Sequence, residues 1–160
     1  MPAFSSQQGI HTTHKNRIVL IVLAPLLTGL LFNYFIGFFQ SIYAFYSIAM
    51  IMFWTFAGFY FGRAIPPLWK GFLLGNSLWL LSLLLFFHQF QIMTEEGRSV
   101  IMAALAQVYV TAYTPITALV VEAADNTVVT EEMIMYPSYM LMLFNFVLGF
   151  AAGVYARTRM

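Results

Sequence analysis

The chain has 160 residues, of which 61% are hydrophobic and 8% charged, whereas a soluble globular domain carries roughly 25% charged residues. So few charges cannot cover a water-facing surface. Seven Lys and Arg against six Asp and Glu leave no basic field for nucleic acid, and the lack of cysteine removes disulfides, thiol nucleophiles and thiolate metal sites.

The opening "MPAFSSQQGIHTTHKN", residues 1–16, is polar and aperiodic and reads as an irregular cytoplasmic tail ahead of a single helical domain over 17–160. His11 and His14 have a spacing that suits weak metal binding, but no carboxylate or thiol accompanies them, so no metal site is assigned. Next comes an uncharged run from Ile18 to Gly62. It is too long for a cleavable signal peptide and about twice the roughly 20 residues that cross a ~30 Å hydrocarbon core. It predicts two packed spans, about 18–38 and 41–62, with a turn at Gly37 to Ser41.

"RAIPPLWK", Arg63 to Lys70, is a tight loop, because consecutive prolines lack backbone donors and disfavour helix before them. A third span follows over about 71–93, then the polar link "TEEGR". A last span covers about 133–156 and is closed by Arg157 and Arg159. Between these lies "SVIMAALAQVYVTAYTPITALVV", residues 99–121, uncharged and long enough to cross. Ala103, Gln107, Thr111, Thr114 and Ala118 would share one narrow face of such a helix, with Thr111 and Thr114 placed to satisfy the carbonyl freed by Pro115.

Two rules disagree about this fourth segment. Lys and Arg favour cytoplasmic loops. If the segment does not cross, Lys15, Arg17, Arg63, Lys70, Arg157 and Arg159 share one side and Arg98 stands alone on the other. If it crosses, Arg157 and Arg159 move outside. Spanning length is the stronger physical constraint, so the sequence predicts a crossing and an external C-terminus. The fold expected is therefore an all-α integral membrane protein, a compact bundle of five membrane-embedded helices, its N-terminus in the cytoplasm of a bacterial cell. The alternative is four crossings plus one re-entrant or surface helix broken at Thr114-Pro115.

Gly-x-x-x-Gly occurs three times, at Gly58 and Gly62, Gly71 and Gly75, and Gly149 and Gly153. Such pairs leave a groove on a helix that a second backbone can enter, either within the bundle or on a partner subunit. Asn33, Asn76, Asn145, Gln107, Thr111 and Thr114 are polar groups inside the apolar segments, where they need partners. They read as interhelical hydrogen bonds or as the lining of a solute cavity, with Gln107 and Asn33 expected to reach Asn145. His88 falls at the outer end of span 3, with no second ligand for haem or metal. Trp69 and Tyr60 at the inner side and Tyr43 at the outer read as interfacial anchors.

No Asp, Glu, Lys or Arg lies deep in any span, which disfavours ion-coupled transport, and HExxH and Gly-x-Ser-x-Gly are both missing. Glu122, Asp125, Glu131 and Glu132 lack the alternation of an EF-hand and read as a solvated loop. No catalytic residue, cofactor or metal site is assigned. The expected function is a non-enzymatic accessory subunit of a membrane complex or a homo-oligomer, the lipid bilayer being its surroundings. The alternative is a small-solute-binding or transport component with a polar intramembrane cavity.

Overall fold

A computed structural model of the protein describes residues 5–35, 43–124 and 130–159, and every regular element among them is helical. The helices are α1 (Ser5–Phe35), α2 (Tyr43–Ala64), α3 (Leu68–Gly75), α4 (Ser77–Phe87), α5 (Val100–Val110), α6 (Thr114–Ala124) and α7 (Glu131–Thr158). A π-helical turn, His88–Ile92, extends α4, and a short 3-10 turn, Glu95–Gly97, precedes α5. Three helices have a stretch long and apolar enough to cross a membrane: Asn16–Tyr34, Ala44–Ala64 and Glu132–Thr158. The count rises to five if two bent pairs are each one span.

One expectation changes at the N-terminus. The backbone from Ser5 is helical and continuous with α1 rather than irregular. Once the apolar segment has nucleated a helix, each added residue gains a hydrogen bond without a new nucleation cost. The turn expected at Gly37 to Ser41 lies outside the described residues.

The third segment is bent by 51° where α3 meets α4. Asn76 has φ −102° and ψ 9°, and both its backbone N–H and its side-chain Nδ2 donate to Phe72 O, at 3.1 and 2.9 Å. An Asn amide that competes for a helical carbonyl in this way favours a break over a continuous helix.

The centre of the bundle is the α2–α7 pair. A Cβ placed on Gly58 would strike Phe146 O, and one on Gly62 would strike Phe150 O. Reciprocally, a Cβ on Gly149 would strike Thr55 O and one on Gly153 would strike Phe59 O. Residue numbers rise together along both helices, so α2 and α7 run parallel with their backbones in contact. Such an approach is open only to glycine, and it accumulates dispersion and weak Cα–H···O contacts. The third pair is also internal. A Cβ on Gly71 would meet Phe61 O at 2.9 Å, and one on Gly75 would meet the Phe146 ring. Around this seam Phe146 packs against Trp54, Phe61 and Phe72, with ring centroids 6.0, 6.3 and 5.8 Å away.

The other directions follow from cross-helix contacts. Thr28 meets Met50 and Phe32 stacks on Tyr46 at 4.2 Å, so α1 is antiparallel to α2. Phe72 packs on Phe150, Trp79 on Tyr139 and Phe86 on Tyr136, so α3 and α4 are antiparallel to α7. Hence α4 ends at the end of the bundle where α7 begins.

The segment joining them must leave and return at that one end. Ser99 N donates to Gln89 Oε1 at 2.7 Å beside the end of α4, and Thr117 meets Ser138 in the early part of α7 at 2.6 Å. Between these points the chain dips to Trp54 and Met50 of α2 and bends by 82° from α5 to α6. The fourth segment is thus two helices meeting at a bend rather than one continuous helix. Residues 99–121 form a helix–turn–helix that enters the bundle and returns, because the glycine seam turns α7 parallel to α2.

Gly149→Ala is expected to destabilise the protein by about 2–3 kcal/mol, since a methyl pressed on backbone cannot be relieved by a rotamer change. Gly97→Ala, whose Cβ finds Thr94 Oγ1 at an ordinary 3.5 Å, should change stability by under about 0.5 kcal/mol. Reversible unfolding of both variants in detergent checks the pair, and equal effects would remove the seam from its central place.

Candidate functional site

The α5–α6 break is built by local chemistry. Pro115 has no N–H to offer Thr111 O, so the helix cannot continue unchanged. Tyr113 N instead donates to Val110 O at 2.8 Å, a tightened turn, and Thr117 N restarts the ladder on Tyr113 O at 3.1 Å. Threonine hydroxyls satisfy neighbouring carbonyls. Thr111 Oγ1 donates to Gln107 O at 3.0 Å, Thr114 Oγ1 lies 3.4 Å from Val110 O, and Thr117 Oγ1 reaches Thr114 O at 3.1 Å. The bend splits the small and polar stripe expected on one helix: Ala103 and Gln107 belong to α5, Thr111 to the turn, and Thr114 and Ala118 to α6.

Several of the polar residues singled out in the sequence converge on this break. Asn33 Nδ2 of α1 donates to Thr111 Oγ1 at 3.3 Å. The Tyr113 hydroxyl sits between Met50 O, 3.4 Å away, and the side-chain amide of Asn145. Asn145 Nδ2 also donates to Leu141 O at 3.0 Å. Asn33 thus pairs with Thr111 and Asn145 lies against Tyr113, in place of the direct Asn33–Asn145 contact expected. Asn76 stands apart at the α3–α4 break.

A second network was not apparent in the sequence. Ser82 Oγ and the Tyr139 hydroxyl are 2.7 Å apart, and each lies 3.0 Å from Ala106 O. Trp79 Nε1 donates to Tyr139 O at 3.1 Å. Tyr139 is 0% exposed, so this hydroxyl–carbonyl cluster ties α4, α5 and α7 together in the interior. Its only sequence signal is polar atoms in apolar segments, which Ser82, Thr117, Ser138 and Tyr139 share with many unrelated residues.

Beside this network lies a partly open cleft of about 120 Å³, lined by Leu26 of α1, Leu78, Leu81, Ser82 and Leu85 of α4, and Leu105 and Tyr109 of α5. Tyr109 is 4% exposed, and its hydroxyl has no hydrogen-bond partner among the described residues. The same holds for Nε1 of Trp54, whose ring centroid is 6.0 Å from that of Tyr109. Apart from Tyr109 and Ser82 the walls are leucine, so the cleft suits an alkyl or isoprenoid group far better than a polar solute.

Among the described residues no three His, Asp or Glu side chains converge on a metal position. His88 is exposed and its Nδ1 lies 3.1 Å from Gln89 Nε2, while the side chains of His11 and His14 lie outside the described residues.

Ser82→Ala and Tyr139→Phe are expected to destabilise the bundle less than additively, with a coupling of roughly 0.6–1.7 kcal/mol, the range of hydrogen bonds inside membrane helix bundles. Unfolding of both single variants and the double variant measures it, and strict additivity would mean the hydroxyls act separately. Comparison with protein-family models, with curated proteins and with solved structures gives no match to this chain, so function is argued from its own geometry.

Proposed function

We propose that this is an integral membrane protein with four crossings, α1, α2, α3–α4 and α7, and one re-entrant hairpin, α5–α6. In this reading both termini lie on the cytoplasmic side. The parallel α2–α7 seam supports it, because Arg157 and Arg159 then join Arg63 and Lys70 at one end, as the preference of basic residues for the cytoplasmic face requires.

Within that frame the protein is a non-catalytic binding component that holds an apolar ligand, an acyl or isoprenoid chain, between α1, α4 and α5. The observation that carries this reading is the partly open cleft itself, whose walls are five leucines with Ser82 and Tyr109. An apolar cavity of about 150 Å³ stays dry and takes up benzene, so a cleft of about 120 Å³ admits a short length of alkyl chain. The accessory-subunit reading ranks second, because Gly58, Gly62, Gly71, Gly75, Gly149 and Gly153 are all closed by this chain's own helices and leave no glycine groove for a partner.

The absence of native cysteine makes topology direct to test. Glu96→Cys and Glu132→Cys flank the hairpin and are expected to react with an impermeant thiol reagent on intact cells, whereas Thr158→Cys should react only after permeabilisation. Labelling of Glu96→Cys and Glu132→Cys from opposite sides would refute the re-entrant hairpin.

For the ligand, native mass spectrometry of the full chain in mild detergent should show a bound apolar molecule whose mass differs from that of any phospholipid present. Leu105→Trp, which fills the cleft, should lose it while the protein stays folded. Retention by that variant, or an empty wild-type protein, would reduce the cleft to a packing gap.

A further inference from the structure

Charge is sorted between the two ends of the bundle. Arg63 closes α2, and a Cβ on Gly153 of α7 would meet Arg63 N at 3.0 Å, so Arg63 stands one turn before Arg157. Arg159 caps α7, and Lys70 lies in the first turn of α3, directly across the Pro66-Pro67 loop. Glu95, Glu96, Glu122 and Glu132, the carboxylates among the described side chains, all belong to the elements around α5 and α6 at the other end.

Lys70, Arg157 and Arg159 share this end with Arg63, and the described carboxylates lie at the other. Arg157 adds a sharper sign, since its Nη1 is buried and has no hydrogen-bond partner among the described residues. A guanidinium nitrogen withdrawn from water calls for an oxygen acceptor. Aromatic rings border the cluster. Trp69 is 61% exposed with Lys70 Nζ 5.5 Å from its ring centre, and Tyr155 is 55% exposed with the Arg159 guanidinium 4.3 Å from its ring centre. Exposed Trp and Tyr beside clustered cations are the chemistry of the headgroup layer, where the ring meets the glycerol region and the cation meets phosphate.

We infer that the α2–α3–α7 end is a binding site for the headgroup of an anionic phospholipid, with Arg63, Lys70, Arg157 and Arg159 as its phosphate contacts and Trp69 as its interfacial anchor. This inference rests on the membrane reading above but not on the apolar cleft. Leu105→Trp should leave it untouched, so the two can fail separately.

The test uses the full-length protein in mild detergent, titrated with phosphatidylglycerol, with phosphatidylcholine and with inorganic phosphate, and read by native mass spectrometry and thermal stability. The wild-type protein should prefer phosphatidylglycerol over phosphatidylcholine by roughly tenfold or more, given the attraction of each basic residue to an anionic surface. The double variant Arg157→Gln, Arg159→Gln should lose most of that preference. Arg157→Lys, which keeps the charge, and Arg98→Gln at the opposite end should retain it. Equal binding of the two lipids by the wild type, an equal loss in Arg98→Gln, or inorganic phosphate competing as well as the lipid would each overturn the site. The lipid-free melting temperature of each variant separates loss of binding from loss of fold.

Discussion

Everything else in this fold follows from one contact, the backbone-to-backbone seam between α2 and α7. Gly58 and Gly62 on one helix meet the backbone around Phe146 and Phe150, while Gly149 and Gly153 meet that around Thr55 and Phe59. Where both surroundings are apolar, no hydrophobic force separates inside from outside, and close packing of small residues supplies the specificity instead. The seam is parallel, and that single fact fixes where α7 starts, which end receives Arg157 and Arg159, and why the chain between α4 and α7 turns back.

The returning hairpin places polar chemistry in an apolar interior, and the structure deals with it by local pairing. Threonines around the bend donate to carbonyls of their own turn, Asn33 donates to Thr111, and the hydroxyls of Thr117 and Ser138 meet. Ser82 and Tyr139 meet over Ala106 O in the same way. Groups so paired are not free to line a path for polar solutes. Beside the break lies a leucine-walled cleft against α1, and the proposed apolar ligand rests on that lining.

The two ends of the bundle have different chemistry. One gathers Arg63, Lys70, Arg157 and Arg159 beside exposed Trp69 and Tyr155, and the other carries the described carboxylates. In the proposed orientation the first faces an anionic leaflet, and the apolar cleft opens between helices toward lipid tails. Both proposed ligand contacts are then with lipid-like molecules, at different depths and through different forces.

Much of this was legible in the residues. Segment positions followed from apolar length, and the observed helices from α2 onward begin and end close to the expected limits apart from the two bends, whereas α1 starts well before its apolar stretch. The glycine spacing marked the surfaces that pack, and the distribution of Lys and Arg already favoured a common side for both termini. Each of these signals is local: span length, a one-turn repeat and loop charge need no knowledge of partners. The expected fourth crossing came from apolar length and the lack of charge, and neither distinguishes one continuous helix from two half-helices that meet at a bend. Only the tertiary structure decided that α7 lies parallel to α2, because that depends on shape complementarity between glycines far apart in the chain. It likewise decided that Ser82, Ala106 and Tyr139 share one hydrogen-bonded cluster, since a buried hydroxyl's partner is set by which helices are neighbours.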